Sequence, residues 1–280
     1  MRVTLICNPG SGRRVDPDWA ANRLRAHGHE VVELVHTPEE AHARDAERIV
    51  AVGGDGTVGA AALLAHRRAV PVAIVPGGTA NDFVRATGLP FELEPALELA
   101  ATATRTRPLE LAWMNDRPFV NAASAGLSPA AGRRATPLKP RLGPLAYPVG
   151  GVLAGLRERP VGATAVVDEV EVFDGPTWQL TVAATGAFGG GSEIEAADPA
   201  DGLLDLVAVP AGSRLVLPRI ALALRRGELE DQPDVVHVRG DVIRVRVAPG
   251  TCFNVDGEVV EGGGDHAFRA QAGAFQLLVG

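Results

Sequence analysis

A chain of 280 residues, 46% hydrophobic and 22% charged, has the composition of a soluble globular protein and the length for two hydrophobic cores. Its 27 basic against 34 acidic residues leave a formal charge of −7, which excludes nucleic acid as the expected partner, since such binders are usually basic. Lysine occurs once, at Lys139, so there is no Walker A lysine, no protein-kinase strand lysine and no Schiff-base lysine.

The remaining bulk signals narrow the setting. No serine stands in a Gly-x-Ser-x-Gly elbow and no HExxH occurs. Cys7 and Cys252 form no metal or CxxC pattern, which fits a reducing compartment. Met1-Arg2 leads straight into a strand-like run with no signal peptide. The longest uncharged apolar stretch, residues 142–156, is broken by Pro144 and Pro148. It falls short of the ~18 residues of a spanning helix. The expected setting is cytoplasmic, with membrane contact only peripheral.

Taken in order, residues 2–8 read as a buried strand opening into Asn8-Pro9-Gly10-Ser11-Gly12. Asp16 is an N-cap followed by Pro17, and Gly28 ends that helix in the left-handed conformation. A strand over 30–35 follows. Thr37-Pro38-Glu39-Glu40 reads as a capping box opening another helix. Residues 48–52 form a third strand that stops at Gly53-Gly54-Asp55-Gly56-Thr57, with helical pattern directly beyond. A fourth strand, 71–75, ends in glycines too, at Gly77-Gly78-Thr79-Ala80-Asn81-Asp82. A short helix runs to about Thr87, where Gly88 and Pro90 stop it, and a further one spans 94–104.

Strands alternating with helices predict a doubly wound parallel α/β sheet. Ligands of such sheets bind at the carboxyl ends of the strands. The loops at Asn8, Thr37, Gly53 and Gly77 all fall on that edge. Glycines there admit close approach to the backbone, and a helix start favours phosphate. The plain alternative is that Gly-Gly-Asp-Gly is only a turn.

Beyond Arg107 the pattern has period two. Segments 169–173 and 178–182 read as strands joined by a turn at Asp174-Gly175-Pro176. Others cover 235–238, 242–247 and 252–255. An antiparallel β-sandwich is predicted, with helical insertions near 145–157 and 215–226.

Six segments in collinear order resemble the diacylglycerol-kinase catalytic family, of the bacterial soluble lipid-kinase type. They are Asn8-Pro9-x-Ser11-Gly12, Gly53-Gly54-Asp55-Gly56-Thr57, Gly78-Thr79-Ala80-Asn81-Asp82, Phe119 to Gly126, Asp201-Gly202-Leu203-Leu204-Asp205 and Asp256-Gly257-Glu258. The resemblance implies a nucleotide-binding α/β domain over 1–107, to which 268–280 returns. It implies a β-sandwich lipid and metal domain over 108–267. The implied reaction moves the γ-phosphoryl group of ATP to the hydroxyl of diacylglycerol or a similar lipid alcohol.

Residue roles follow from the same resemblance. ATP would be cradled by Asn8, Ser11, Gly12, the backbone of Gly53 to Thr57 and Gly78, with Thr37 and Thr79 as further nucleotide contacts and Asn81 and Asp82 in the surrounding polar network. Asp55 would hold the nucleotide's Mg²⁺; its alternative is a helix N-cap, as it is for Thr37. Glu258 would be the general base; its alternative is a solvated strand-end residue beside a hairpin turn at Asp256-Gly257. A structural Mg²⁺ in the second domain would take the Asp201 carboxylate and backbone carbonyls of Asp198 and Leu203, although Pro199 marks a shorter loop than usual.

Arg133, Arg134, Lys139 and Arg141, beside residues 142–156, would meet anionic lipid heads or stand as a solvated loop. A homodimer is left open. Two other functions stay in view: an NAD-kinase-like small-molecule kinase, which shares the Gly-Gly-Asp-Gly loop, and a non-catalytic lipid-binding protein on the same fold.

Overall fold

The computed structural model describes residues 1–135, 137, 146–188, 192–194 and 197–280. Lys139, Arg141 and the first residues of the uncharged stretch, 142–145, lie outside them. The chain divides into two compact units, Met1–Leu111 with Gln271–Gly280, and Ala112–Ala270.

The first unit contains β1 (Arg2–Cys7), α1 (Pro17–Ala26), β2 (Glu30–Val35), β3 (Arg48–Gly53), α2 (Asp55–Arg68), β4 (Val72–Pro76), α3 (Asp82–Thr87), α4 (Leu93–Thr102) and most of β5 (Arg105–Met114). The second continues through β6 (Arg117–Phe119), β7 (Ala122–Gly126), α5 (Leu127–Ala135), α6 (Ala146–Arg157), β8 (Val161–Val167), β9 (Val170–Ala183), β10 (Ala187–Phe188), β11 (Ser192–Glu193), β12 (Leu204–Pro210), α7 (Leu217–Arg226), β13 (Val236–Gly240), β14 (Val242–Val247), β15 (Cys252–Val255) and β16 (Glu258–Glu261). The last strand, β17 (Gly264–Val279), begins in the second unit and ends in the first.

In the first unit β2, β1, β3 and β4 pair in that order, all parallel. β17 adds to β4, parallel at Leu277 and Val72. β3 and β4 are buried at every residue and β1 at all but its first. That is why they read as unbroken apolar runs and not as alternating ones. α1 lays Ala20, Ala21 and Leu24 on this sheet, and α4 lays Ala96, Leu97 and Ala100. Small residues on both helices let the cylinders approach closely. The Arg48 guanidinium, buried under α4, donates to Ala100 O at 2.5 Å and Ala103 O at 2.8 Å. It answers the unpaired carbonyls at that helix C-terminus, while its burial pulls its pKa down.

Asp16 caps α1 through the Asp18 N–H at 3.0 Å, as its position before Pro17 predicts. The capping box does not form. Residues Pro38–Glu40 make a single 3₁₀ turn, and Thr37 makes no side-chain cap bond. The helix fails to propagate because Glu39, Glu40, His42 and Arg44 give it no apolar face to bury. Ala43 also turns left-handed, its N–H held by Glu33 at 2.8 Å.

The second unit is a β-sandwich-like fold of antiparallel strands. β16, β15, β7, β9, β8, β14 and β17 pair in sequence, and β12 pairs with β9 and β13. Phe119, Phe253 and Phe268 anchor one core, with Phe119 edge-on to Phe268 at 6.4 Å. β12 serves two cores, sending Leu204 and Leu206 to one and Val207 and Val209 to the other. This is the period of two expected of a strand packed on both faces.

Asp174-Gly175-Pro176 does not turn. Those residues continue as one strand, β9, opposite Thr164, Ala163 and Gly162 of β8. Pairing on that flank outweighs the local turn preference of the tripeptide. α5 and α6 pack through Ala130, Ala131 and Ala154; α6 and α7 are the two expected helical insertions, and α5 is a third helix that the patterning does not predict. Among the described residues no helix is long and apolar enough to cross a membrane.

Candidate active site

Three loops of the first unit meet at the carboxyl edge of its parallel sheet. The loop after β1 is joined to the loop after β4 by Arg13 N–H to Gly77 O at 2.8 Å. The loop after β4 is joined to β3 by Gly77 N–H to Gly53 O at 2.7 Å. Asn8 N–H donates to Val52 O at 3.0 Å. Each loop follows a buried parallel strand, so the register of the sheet sets all three side by side.

Glycine is required at two of these contacts. A Cβ at Gly78 would lie 2.5 Å from the Cα of Gly54, so those loops touch backbone to backbone. A Cβ at Gly53 would overlap the buried side chain of Thr57. Asn81, left-handed at φ 50 and 2% exposed, locks the Gly78 turn from inside. Its Oδ1 accepts Gly78 N–H at 2.9 Å and its Nδ2 donates to Gly78 O at 3.0 Å.

The cluster has the donors a polyphosphate needs. α2 opens at Asp55 with Gly54 as its cap, and Gly54 brings no side chain to the first-turn N–H groups. Gly56 is exposed, and a Cβ there would meet nothing within 4 Å. The Ser11 hydroxyl oxygen is buried and has no hydrogen-bond partner in the structure. A buried hydroxyl without a partner is costly, and a phosphate oxygen would satisfy it. Thr79 is exposed on the same loop edge, and Asn8 Oδ1 accepts Gly10 N–H at 2.9 Å to shape the first loop. Thr37 follows β2 on this edge and is partly exposed.

Asp55 is half-buried at the first position of α2 and does not cap its own helix. Its Oδ1 accepts the N–H of Phe83, in the first turn of α3, at 3.0 Å. The carboxylate thus serves the N-terminus of the neighbouring helix, beside the buried Asp82 that begins α3. Among the described residues no group of three or more His, Cys, Asp or Glu could hold a metal ion. A magnesium at Asp55 would complete its shell with nucleotide phosphates and water, the usual habit of that ion.

In the second unit Asp256 and Gly257 form the turn between β15 and β16, both at positive φ, 47 and 93. That is the twist a two-residue hairpin prefers. The Asp256 carboxylate does more than turn. It accepts the N–H groups of Val120, Asn121 and Ala122 at 2.7, 2.9 and 3.1 Å, fixing the hairpin to the connection from β6 to β7. Glu258 follows at the start of β16, with its side chain 67% exposed and paired to Arg117. Arg117 carries no sequence signal and was legible only from the fold. Asp256 was legible as a turn but not as an acceptor of three amides.

The second-unit loop from Asp198 to Leu203, where the resemblance implies a magnesium, has an arginine on its aspartate. Asp201 Oδ1 accepts Leu203 N–H at 2.9 Å, and its Oδ2 pairs with Arg239. Asp198 Oδ1 accepts Ala200 N–H at 3.0 Å. Arg239 Nε lies 3.4 Å from Asp205, whose carboxylate also meets His237 Nε2 at 2.6 Å. The Asp205 hydrogen bond pushes the His237 pKa up against its partial burial. With both Asp201 oxygens engaged, the residues at Asp198, Asp201 and Leu203 do not fit an open divalent-cation site.

Residues 2–114 match the diacylglycerol kinase catalytic domain family. Residues 121–279 match the YegS C-terminal NAD kinase beta sandwich-like domain. The chain is 30% identical to a diacylglycerol kinase of Bacillus subtilis over 92% of its own length and 89% of that protein. It is 27% identical to a diacylglycerol kinase of Mycobacterium tuberculosis, over 92% and 88%. In fold it is similar to a diacylglycerol kinase of Bacillus anthracis, with a TM-score of 0.79, 21% identity and coverage of 100% and 97%. An NAD kinase from Archaeoglobus fulgidus in complex with ATP follows at a TM-score of 0.55, 16% identity and coverage of 100% and 94%.

Proposed function

Because the chain belongs to the diacylglycerol kinase family, we propose that it transfers the γ-phosphoryl group of ATP to the hydroxyl of diacylglycerol or a similar lipid alcohol. The observation that carries this reading is the three-loop cluster of the first unit, with its backbone-to-backbone glycines and the buried, partnerless Ser11 hydroxyl. Phosphoryl transfer needs positioning and charge stabilisation and no covalent intermediate, so a single-lysine chain can perform it.

The N–H groups at the start of α2 and the Ser11 hydroxyl bind phosphate oxygens, while Asn81 holds the Gly78 turn rigid beside them. A bound magnesium would neutralise charge developing on the phosphates, and Asp55 is the carboxylate that would hold it. Glu258 takes the proton of the attacking hydroxyl, and Arg117 orients its carboxylate. Asp256 keeps the hairpin in place. The enzyme works in the cytoplasm on a substrate held in a membrane, so its membrane contact is peripheral.

The test is turnover of ATP and Mg²⁺ with a panel of diacylglycerol, monoacylglycerol, sphingosine and NAD. A labelled phospholipid supports the proposal. Phosphorylation of NAD alone would replace it with the small-molecule reading, and lipid binding without any transfer would leave a non-catalytic binder.

A further inference from the structure

Phosphoryl transfer calls for positive charge on the phosphates, and the donors of the three-loop cluster are amides and a hydroxyl. The single lysine, Lys139, lies outside the described residues. Two arginines border the cluster instead. Arg13 stands two residues beyond Ser11 in the loop after β1, and Arg85 stands in α3, three residues beyond the buried Asp82.

Both guanidiniums meet on one ring. Arg13 Cζ lies 4.8 Å from the centre of the Phe91 ring and Arg85 Cζ lies 5.8 Å from it. Phe91 is 39% exposed in the short link between α3 and α4, so burial in the core does not account for it. Arg13 is held at two further points. Its N–H donates to Gly77 O at 2.8 Å, and its Nη1 donates to Phe91 O at 2.8 Å. Gly12, just before it, packs so tightly on the third loop that a Cβ there would lie 2.4 Å from Thr79 Oγ1. The Arg13 side chain is thus fixed at its root and at its tip.

Neither arginine pairs with a carboxylate among the described residues, whereas Arg23, Arg117, Arg219 and Arg246 each do. Asp16, close to Arg13 in sequence, accepts the Asp18 N–H at 3.0 Å. Glu92, beside Phe91, is exposed and its side chain caps nothing. Two like charges on one ring repel each other, and an anion bound to both removes that repulsion. A guanidinium has five N–H donors. Arg13 uses one on the Phe91 carbonyl, and Arg85 uses none among the described residues. Planar forks of this kind take phosphate oxygens in pairs.

We propose that Phe91 is a positioning residue, presenting Arg13 and Arg85 as a pair that takes the terminal phosphates of the nucleotide. An aromatic face holds the two cations without neutralising them, as a carboxylate would. Their charge is then in place before the reaction, where charge develops on the transferred group. This deepens the lipid-kinase reading, on which it rests, by adding the side-chain cations of its phosphate site.

Calorimetric titration of the full chain with ATP, ADP and AMP in Mg²⁺, with no lipid present, tests it. The parent should prefer ATP to AMP. Arg85→Gln should lower ATP affinity by at least about tenfold, the scale of a lost charge-assisted hydrogen bond, and leave AMP affinity unchanged. Phe91→Leu keeps both arginines and should lower the ATP preference by about fivefold, the scale of two exposed cation–π contacts. Phe91→Trp should restore it. Phe91 and Arg85 are exposed, so these variants should melt with the parent; if Phe91→Leu folds poorly, Arg85→Gln and Arg13→Gln give the same reading. Equal losses of ATP and AMP affinity in Phe91→Leu would reduce the ring to a structural part and overturn the proposal. Unchanged ATP affinity in Arg85→Gln, with lipid phosphorylation intact in the parent, would overturn it alone. A parent without nucleotide affinity would overturn it together with the kinase reading. Arg85-dependent binding of short-chain phosphatidate in place of ATP would also overturn it, giving the pair to a lipid headgroup.

Discussion

The Asp55 carboxylate, at the start of one helix, accepts the Phe83 amide of another at 3.0 Å. This makes it a positioning group for α3 as well as the proposed magnesium ligand, and two substitutions separate those roles. Asp55→Asn retains an acceptor for Phe83, so it should melt within a few degrees of the parent while losing most turnover. Asp55→Ala should lose turnover and also destabilise by about 1–2 kcal/mol, the usual effect of removing a helix-capping acceptor. For a chain of this size that is a fall of roughly 2–8 °C in melting temperature. Turnover close to the parent's in Asp55→Asn would remove the residue from the chemistry.

Glu258 is exposed and its ion pair with Arg117 lies at the surface, so it contributes little to stability. Glu258→Gln should therefore reduce turnover by about 10²–10⁴-fold, the range for loss of a general base, with an unchanged melting curve. Arg117→Gln should lower turnover less and leave nucleotide binding intact. A fully active Glu258→Gln enzyme would return the residue to a solvated strand end.

The pairing of Arg239 with Asp201 bears on metal dependence. Without nucleotide, Mg²⁺ or EDTA should leave the melting temperature of the parent unchanged, because a guanidinium already occupies the carboxylate. Arg239→Met removes that charge and leaves Asp201 beside Asp205, so it should melt lower and be partly restored by divalent cations. A saturable Mg²⁺ stabilisation of the parent that Asp201→Asn abolishes would show that the loop binds metal despite its arginine.

His237 supplies a pH dependence. Its folded pKa is raised above the ordinary value, chiefly by the hydrogen bond to Asp205, with Asp205 and Glu230 charges adding and the Arg239 charge opposing. A raised histidine contributes stability that is fully present below about pH 6.5 and is lost as pH rises through the folded pKa. Thermal melts from pH 6 to 8 should show that loss, and His237→Gln should flatten it. An identical slope in the variant would place the titration elsewhere.

Local signals in the chain carried far. Asp16 before Pro17 gave its cap, Gly88 its left-handed helix end at φ 70, and Asp256-Gly257 its hairpin turn, because each depends on the residue's own φ preference or a partner two or three positions away. Where a local preference met no packing, it failed: Thr37 to Glu40 had the letters of a capping box but no apolar face to bury. Where it met pairing on a flanking strand, it was overruled: Asp174-Gly175-Pro176 lies inside β9.

By itself the sequence determined the alternation of buried strands and helices, and with it the edge on which Asn8, Gly53 and Gly78 fall. Where the strands and helices begin and end follows from hydrophobic runs and turn residues, which are written locally, whereas the order β2, β1, β3, β4 in the sheet is a matter of tertiary pairing. Only the tertiary structure decided which acceptor each amide finds and which cation each carboxylate meets. Asp55 with Phe83, Glu258 with Arg117 and Asp201 with Arg239 are separated by 28, 141 and 38 residues. Such pairings depend on loop paths and side-chain reach across the folded unit, and no spacing rule along the chain encodes them.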